Sequence, residues 1–92
     1  MTPEDRTRRA VLARNIWNDP VMKEARAHIE ATLLERFKAA PISDAEQLRW
    51  LRMLMEAHEV YGKFFQRVLN DGALAQVELD RRKTLAERVL RR

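Results

Sequence analysis

The stretch from Leu48 to Leu69, LRWLRMLMEAHEVYGKFFQRVL, places apolar side chains around most of the circumference of a helix. Its polar residues recur every three or four positions and form one narrow strip: Arg49, Arg52, Glu56, Glu59, Lys63, Gln66 or Arg67, and Asn70. A helix with so narrow a polar strip needs packing partners on two or three sides. The sequence therefore has to supply other helices, from this chain or from another, to cover this segment.

Helix is the only regular structure that the sequence favours. Val, Ile and Thr never alternate with polar residues, whereas Ala, Leu, Glu and Arg dominate, as they do in helices. A chain of 92 residues is long enough for one small domain. We therefore expect a single all-α domain spanning residues 1–92.

Capping signals divide the first half of the chain into two helices. Thr2 followed by Pro3 is typical of a helix start, and it predicts a first helix over residues 3–17. Asp19 followed by Pro20 gives the same signal for a second helix over residues 20–40. This second helix should end before the next proline because proline cannot continue a helix.

The second half of the chain also reads as two helices. Ser43 and Glu46 form a capping box, which predicts a third helix over residues 44–70. Gly72 is suited to the left-handed position that ends a helix, so we expect a fourth helix over residues 73–90 that frays. The predicted fold is an antiparallel helical hairpin of helices two and three. A basic N-terminal helix and a basic C-terminal helix flank it.

The surplus of apolar residues in the third helix predicts self-association. Leaving two or three large apolar side chains in water would forgo roughly 1.5–3 kcal/mol for each of them. Exposed patches of this size usually mark an interface. A closed monomeric bundle is the alternative. The expected interface residues are Trp50, Leu54, Tyr61, Phe64, Phe65 and Val68. On the polar strip, the spacing of four residues predicts the ion pairs Arg52–Glu56 and Glu59–Lys63.

The formal net charge of +4 is concentrated at the two ends of the chain. Residues 1–17 hold four arginines and two acidic residues, a net +2, and residues 73–92 hold six basic and three acidic residues, a net +3. Such ends are either ordinary solvated surface or a surface that attracts a polyanion such as nucleic acid. The candidate contacts to a DNA backbone are Arg6, Arg8, Arg9, Arg14, Arg81, Arg82, Lys83, Arg88, Arg91 and Arg92.

No catalytic or ligand-binding motif stands out. The chain has no cysteine, a single serine that is explained as a cap, and only two glycines, Gly62 and Gly72. Of the two histidines, His28 has only Glu24 at a ligand-like spacing, and His58 lies among apolar residues, where a satisfied core or interface role is commonest. We therefore expect a non-enzyme with no catalytic residue, no metal and no cofactor. No apolar run is long enough to span a membrane, and a cytoplasmic location fits best.

The layout resembles small all-helical proteins that phages encode among their packaging and virion-assembly genes, in particular small terminase subunits. The resemblance covers residues 10–80 loosely. It rests on Asp19-Pro20 followed by Glu24-Ala25, a long leucine- and aromatic-rich helix, and the exit Asn70-Asp71-Gly72-Ala73 before a charged tail. It implies a non-catalytic oligomer that contacts phage DNA in the host cytoplasm. The helix-turn-helix of many small terminases is missing, so specific DNA recognition is not implied.

Two other functions are compatible with the same sequence. The apolar face of the third helix could hold a larger phage or host protein, as an inhibitor or an adaptor does. The chain could also be a dimeric DNA-binding regulator. An assembly adaptor should form an oligomer of more than two chains, and its DNA binding should weaken as the salt concentration rises. An inhibitor should bind little DNA, and a regulator should prefer a palindromic site.

Overall fold

The structure is a computed structural model, and it describes residues 1–91. Within these residues it contains three helices and no strand: α1 (Pro3–Trp17), α2 (Pro20–Ala39) and α3 (Ala45–Leu90). The all-α prediction is confirmed. The residues group into two compact units. Unit 1 consists of Met1–Ile16 and Phe65–Arg92, and unit 2 consists of Trp17–Phe64.

Two of the three helix starts are capped as the sequence predicts. The Oγ1 atom of Thr2 accepts a hydrogen bond from the backbone N–H of Asp5 at 3.1 Å. The side chain of Asp19 accepts one from the backbone N–H of Met22 at 3.0 Å, with Pro20 at the first helical position. These caps satisfy N–H groups that a helix start otherwise leaves without a partner.

The start of α3 differs from the prediction by one residue. The cap is Asp44, whose Oδ1 accepts a hydrogen bond from the backbone N–H of Gln47 at 3.1 Å. Ser43 lies in the preceding turn instead. Aspartate is as good a cap as serine, and its negative charge also favours the positive end of the helix dipole.

The predicted break between a third and a fourth helix is wrong, because α3 continues through Asn70, Asp71 and Gly72. No glycine has a positive φ angle among the described residues. The side-chain amide of Gln66 donates to Asn70 at 3.0 Å, and Asp71 binds Arg6 of α1. A glycine inside a helix costs about 1 kcal/mol relative to alanine. Tertiary contacts with α1 therefore outweigh the local preference of these residues to end a helix.

Unit 1 has a core made mainly of small side chains. Ala10 and Ala13 of α1 are buried together with Ala75 of α3, which has no exposed surface at all. A Cβ atom added to Gly72 would overlap the Cβ of Ala10, so the two backbones approach as closely as side chains allow. Val68 and Phe65 complete this core. Helices that meet through alanine and glycine pack tightly but bury little apolar surface.

Unit 2 relies on larger side chains. Leu51 is buried at 5% exposure, and Ala40, which follows the last residue of α2, is also buried. Further side chains of unit 2 are half-buried: Trp17, Met22, Arg26, Thr32, Leu33, Leu48, Met55 and His58. The buried and half-buried positions on α3 recur every three or four residues, which is the spacing of one face of a helix. This face of α3 supplies the core of unit 2.

Candidate interaction surfaces

A second apolar face of α3 in unit 2 lies exposed to solvent. We call it the 50–64 face and define it by Trp50, Leu54, Ala57, Tyr61 and Phe64, which follow one another at steps of four, three, four and three. Trp50 is 59% exposed, Leu54 49%, Phe64 48% and Tyr61 41%, and Ala57 is exposed as well. Large apolar side chains are rarely this exposed in a continuous row.

The six residues predicted as an interface separate into two groups. Trp50, Leu54, Tyr61 and Phe64 belong to the 50–64 face. Phe65 and Val68 are 9% and 4% exposed, because they lie in the core of unit 1. They are therefore core residues of the chain, and they drop out of the candidate interface. Sequence spacing alone could not separate the groups, since Phe64 and Phe65 both look like apolar positions of a long helix.

One end of the 50–64 face is anchored by a cluster around Trp17. The Trp17 and Tyr61 rings lie 6.1 Å apart between centroids with a 41° tilt, which is a favourable aromatic arrangement. The guanidinium of Arg26 sits 3.6 Å over the Trp17 ring, and its Nη2 donates to the Trp17 carbonyl at 2.7 Å. Its Nη1 is buried without a hydrogen-bond partner. This cluster contacts one side of the Tyr61 ring, and the rest of the ring remains exposed.

Gly62 is the residue of α3 that lies beside the Trp17 ring. A Cβ added there would meet the Cη2 atom of Trp17 at 3.6 Å, an ordinary contact distance. The glycine is therefore next to the aromatic ring without being required by it. A further link in unit 2 joins His58 Nε2 and Glu30 Oε1 at 3.0 Å. His58 is thus a half-buried, hydrogen-bonded residue, as its position in the sequence suggested.

The charged strip of α3 in unit 2 is largely paired within the helix. Arg52 Nε lies 3.5 Å from Glu56, and Lys63 Nζ lies 3.5 Å from Glu59. Both ion pairs were predicted from their spacing and are confirmed. All four side chains are well exposed, so the pairs add little to stability. The charges of these four side chains balance one another, and Arg49 adds a further positive charge to the strip.

Arg6 has a different role from the other arginines of unit 1. Its Nη2 donates to Asp71 Oδ1 at 2.8 Å, and its Nε lies 3.1 Å from both carboxylate oxygens. Its Nη1 is 3.9 Å from Glu78. The hydrogen bonds from Arg6 lower the pKa of Asp71, and those to Asp71 raise the pKa of Arg6. Arg6 therefore holds α1 on α3. This pairing could not be predicted from the sequence, because the two partners are 65 residues apart.

The remaining basic candidates are spread over both elements of unit 1. Arg8 is 3.9 Å from Asp5, and Arg82 Nη2 donates to Glu78 at 2.8 Å. Arg92 lies outside the described residues. The other candidates are exposed: Arg9, Arg14, Arg81, Lys83, Arg88 and Arg91. Exposed arginines and lysines on a helix are suited to contacts with phosphates, which need charge more than a fixed geometry.

Neither metal coordination nor membrane spanning has support in the part of the chain that the structure describes. No group of three or more His, Cys, Asp and Glu side chains is placed to hold a metal ion within residues 1–91. Over the same residues, none of the helices combines the length and the apolar character needed to cross a membrane.

In comparisons with known proteins, no family model, no curated protein and no solved structure matches this chain. The resemblance to small terminase subunits consequently depends on the sequence motifs alone.

Proposed function

We propose that the chain is a non-enzymatic, self-associating helical adaptor of phage DNA packaging or virion assembly, similar to a small terminase subunit. The observation that carries this proposal is the exposed 50–64 face. Its four large side chains are each between 41% and 59% exposed, and covering them would stabilise an assembly by roughly half of the 1.5–3 kcal/mol that full burial gives for each.

We also propose that α2 and residues 45–64 of α3 form the antiparallel hairpin that presents this face. Two contacts support it: Glu30 lies 3.0 Å from His58, and Trp17, just before α2, stacks near Tyr61. The contact closer to the N-terminus of α2 is therefore made by the residue closer to the C-terminus of α3, as in an antiparallel pair. A connection of only residues 40–44 favours the same arrangement.

The proposed contacts to DNA phosphates lie in unit 1. Exposed positive charge on Arg81, Lys83 and Arg88 supports it, whereas Arg6 is occupied by Asp71. Contacts of this kind add affinity without reading base sequence. They also add up when several copies assemble on one DNA molecule. The host-cell cytoplasm is the corresponding proposed location.

Light scattering behind a sizing column, at low and high salt, tests the self-association directly. We expect a stable mass of several chains at both salt concentrations, because apolar contacts are insensitive to moderate salt. Phe64→Glu should lower this mass toward that of a single chain. Gln66→Glu is the matched control, since it adds one negative charge, as Phe64→Glu does, at an exposed position two residues away. An equal loss of mass in the control would show that added charge, and not the loss of the apolar face, is responsible.

DNA binding is tested with a triple variant, Arg81→Ala with Lys83→Ala and Arg88→Ala. Three lost phosphate contacts should reduce the slope of log affinity against log salt by about 2.7. The control carries Lys23→Ala, Arg36→Ala and Lys38→Ala, which remove the same charge from α2 in unit 2. Equal weakening in both would mean that net charge alone matters, and no binding in the wild type would remove DNA from the proposal.

The other outcomes of these experiments identify the alternative functions. A monomeric protein that binds no DNA would point to an adaptor or inhibitor that holds a larger phage or host protein on the 50–64 face. A dimer that prefers a palindromic DNA site would point to a regulator.

A further inference from the structure

We infer that two copies of the chain pair antiparallel through their 50–64 faces, with the two Ala57 residues at the centre of the contact. The inference rests on the proposed self-association, and it specifies the first step of that assembly. Its experiment is chosen so that the pairing can fail while self-association still holds.

The spacing of the 50–64 face is that of a helix-pairing seam. Steps of four and three residues keep side chains in line along a helix, and they allow knobs of one helix to enter holes of another. Fifteen residues from Trp50 to Phe64 correspond to about 21 Å of helix between the first and last of them. This is long enough for four turns of contact with another helix.

When Met53 and Val60 are added to the 50–64 face, its apolar positions have the same spacing on both sides of Ala57. Trp50 and Phe64, both aromatic, each lie seven residues from Ala57. Between them and Ala57 stand two apolar pairs, Met53-Leu54 before it and Val60-Tyr61 after it, at three and four residues on either side. A two-fold contact needs a surface that complements itself when it is rotated by half a turn. Equal spacing of apolar positions on both sides of Ala57 is compatible with that condition.

Antiparallel pairing matches side-chain size better than parallel pairing does. In an antiparallel pair, Trp50 of each copy lies opposite Phe64 of the other, so both ends of the contact hold the same two rings. In a parallel pair, two Trp50 rings would meet at one end and two Phe64 rings at the other. The helices would then be separated unequally along their length. Ala57, the smallest residue of the face, lies at the centre in both arrangements and permits the closest approach there.

The charges and the area also favour a second copy as the occupant. On the strip beside the face, Arg52 pairs with Glu56 and Lys63 with Glu59 within α3, so these four side chains bring no unbalanced charge to the contact. The three aromatic side chains alone expose roughly 300 Å², taking about half of 150–250 Å² each. Met53 and Val60, 52% and 65% exposed, extend the patch toward the roughly 800 Å² per partner of a stable interface.

Single-cysteine cross-linking tests the orientation, because the chain has no cysteine of its own. Under mild oxidation, Ala57→Cys should form a disulfide-linked dimer. Met53→Cys alone should not, because antiparallel pairing places the two copies of position 53 about eight residues, or roughly 12 Å, apart along the helix axis, which is beyond disulfide reach. A mixture of Met53→Cys and Val60→Cys proteins should give the mixed dimer in large excess over either homodimer, measured by intact mass. Lys63→Cys, on the charged strip, is the control that should not cross-link.

The possible results separate the pairing from the proposed function. Efficient homodimers of Met53→Cys would show parallel pairing and overturn the inference. A light-scattering mass of an odd number of chains would also overturn it, because a two-fold contact closes after two copies. In both cases self-association would stand. A wild-type monomer that does not cross-link through Ala57→Cys would instead contradict the proposed function itself. Circular dichroism of each variant checks that the exposed substitutions leave the helices intact.

Discussion

Unit 1 and unit 2 each contain part of α3, but their cores are built from side chains of very different size. In unit 1, Ala10 and Ala13 of α1 meet Gly72 and Ala75 of α3 at close range, and Arg6 binds Asp71 beside them. In unit 2, the core instead forms around Leu51, with half-buried leucine and methionine side chains. Small residues allow intimate contact but bury little apolar area. Stability in unit 1 should therefore depend on steric fit, and stability in unit 2 on apolar volume.

The largest expected effect distinguishes the two faces of α3 within unit 2. Leu51→Ala should lower the free energy of unfolding by about 2–5 kcal/mol, because it leaves a cavity in the core. Leu54→Ala, on the 50–64 face, should cost roughly 1 kcal/mol in the monomer, since half of this side chain is already exposed. Urea unfolding at low protein concentration measures both values. Equal costs would show that Leu54 is also a core residue.

The two glycines provide the next test, because they make opposite predictions for the same substitution. Gly72→Ala should destabilise the protein by about 1–2 kcal/mol, since the added Cβ overlaps Ala10 and overpacking outweighs the gain in helix propensity. Gly62→Ala should be neutral or should stabilise by up to about 1 kcal/mol, because the added Cβ meets Trp17 at an ordinary distance. Thermal unfolding of the two variants gives the comparison. Stabilisation by both would mean that α1 is packed less closely than the structure shows.

The start of α3 should give a smaller effect. Asp44→Ala should cost about 1 kcal/mol through the loss of the cap to Gln47, whereas Ser43→Ala should change stability very little. The two variants, compared by urea unfolding, decide between neighbouring caps. A larger cost for Ser43→Ala would restore the capping box that the sequence suggested.

The smallest effect concerns the ion pair of unit 1 and its dependence on pH. Since the pKa of Asp71 is lowered below its usual 3.8 in the folded chain, the stability it contributes is fully present above pH 3.8. This contribution is lost as the pH falls through the lower folded value. Asp71→Asn should therefore destabilise the protein at pH 7, and its difference from the wild type should shrink in more acidic solution. Urea unfolding at pH 7 and at a pH below 3.8 measures this difference. Glu59→Gln, in an exposed ion pair within α3, is the control. A difference that is constant with pH would assign the effect of the variant to packing instead.

The sequence predicted those parts of the fold that depend on neighbouring residues. In each of these features, the two interacting residues are at most four positions apart along the chain. The structure contains all of them: the caps of Thr2 and Asp19 and the ion pairs Arg52–Glu56 and Glu59–Lys63. The apolar character of the 50–64 face was also legible from its spacing. Local physics determines these features, and a single sequence carries it.

The features that the sequence did not predict depend on contacts between distant residues. Asn70-Asp71-Gly72 favours a helix end when taken alone, but α1 provides partners that keep the helix intact. For the same reason Phe65 and Val68 were assigned to an interface, whereas the structure buries them in unit 1. Arg6 was grouped with arginines that contact DNA, although its carboxylate partner is 65 residues away. A single sequence contains no signal for these pairings.

The close contact between Gly72 and Ala10 has a consequence for how this sequence can change by descent. A mutation that enlarges residue 72 is harmful while residue 10 is alanine, because the two Cβ atoms would overlap. Ala10→Gly removes one of these atoms, so a lineage that acquires it first could then accept Gly72→Ala. The order of the two substitutions matters, although each of them exchanges only glycine and alanine. Related sequences should therefore carry glycine at position 10, at position 72 or at both.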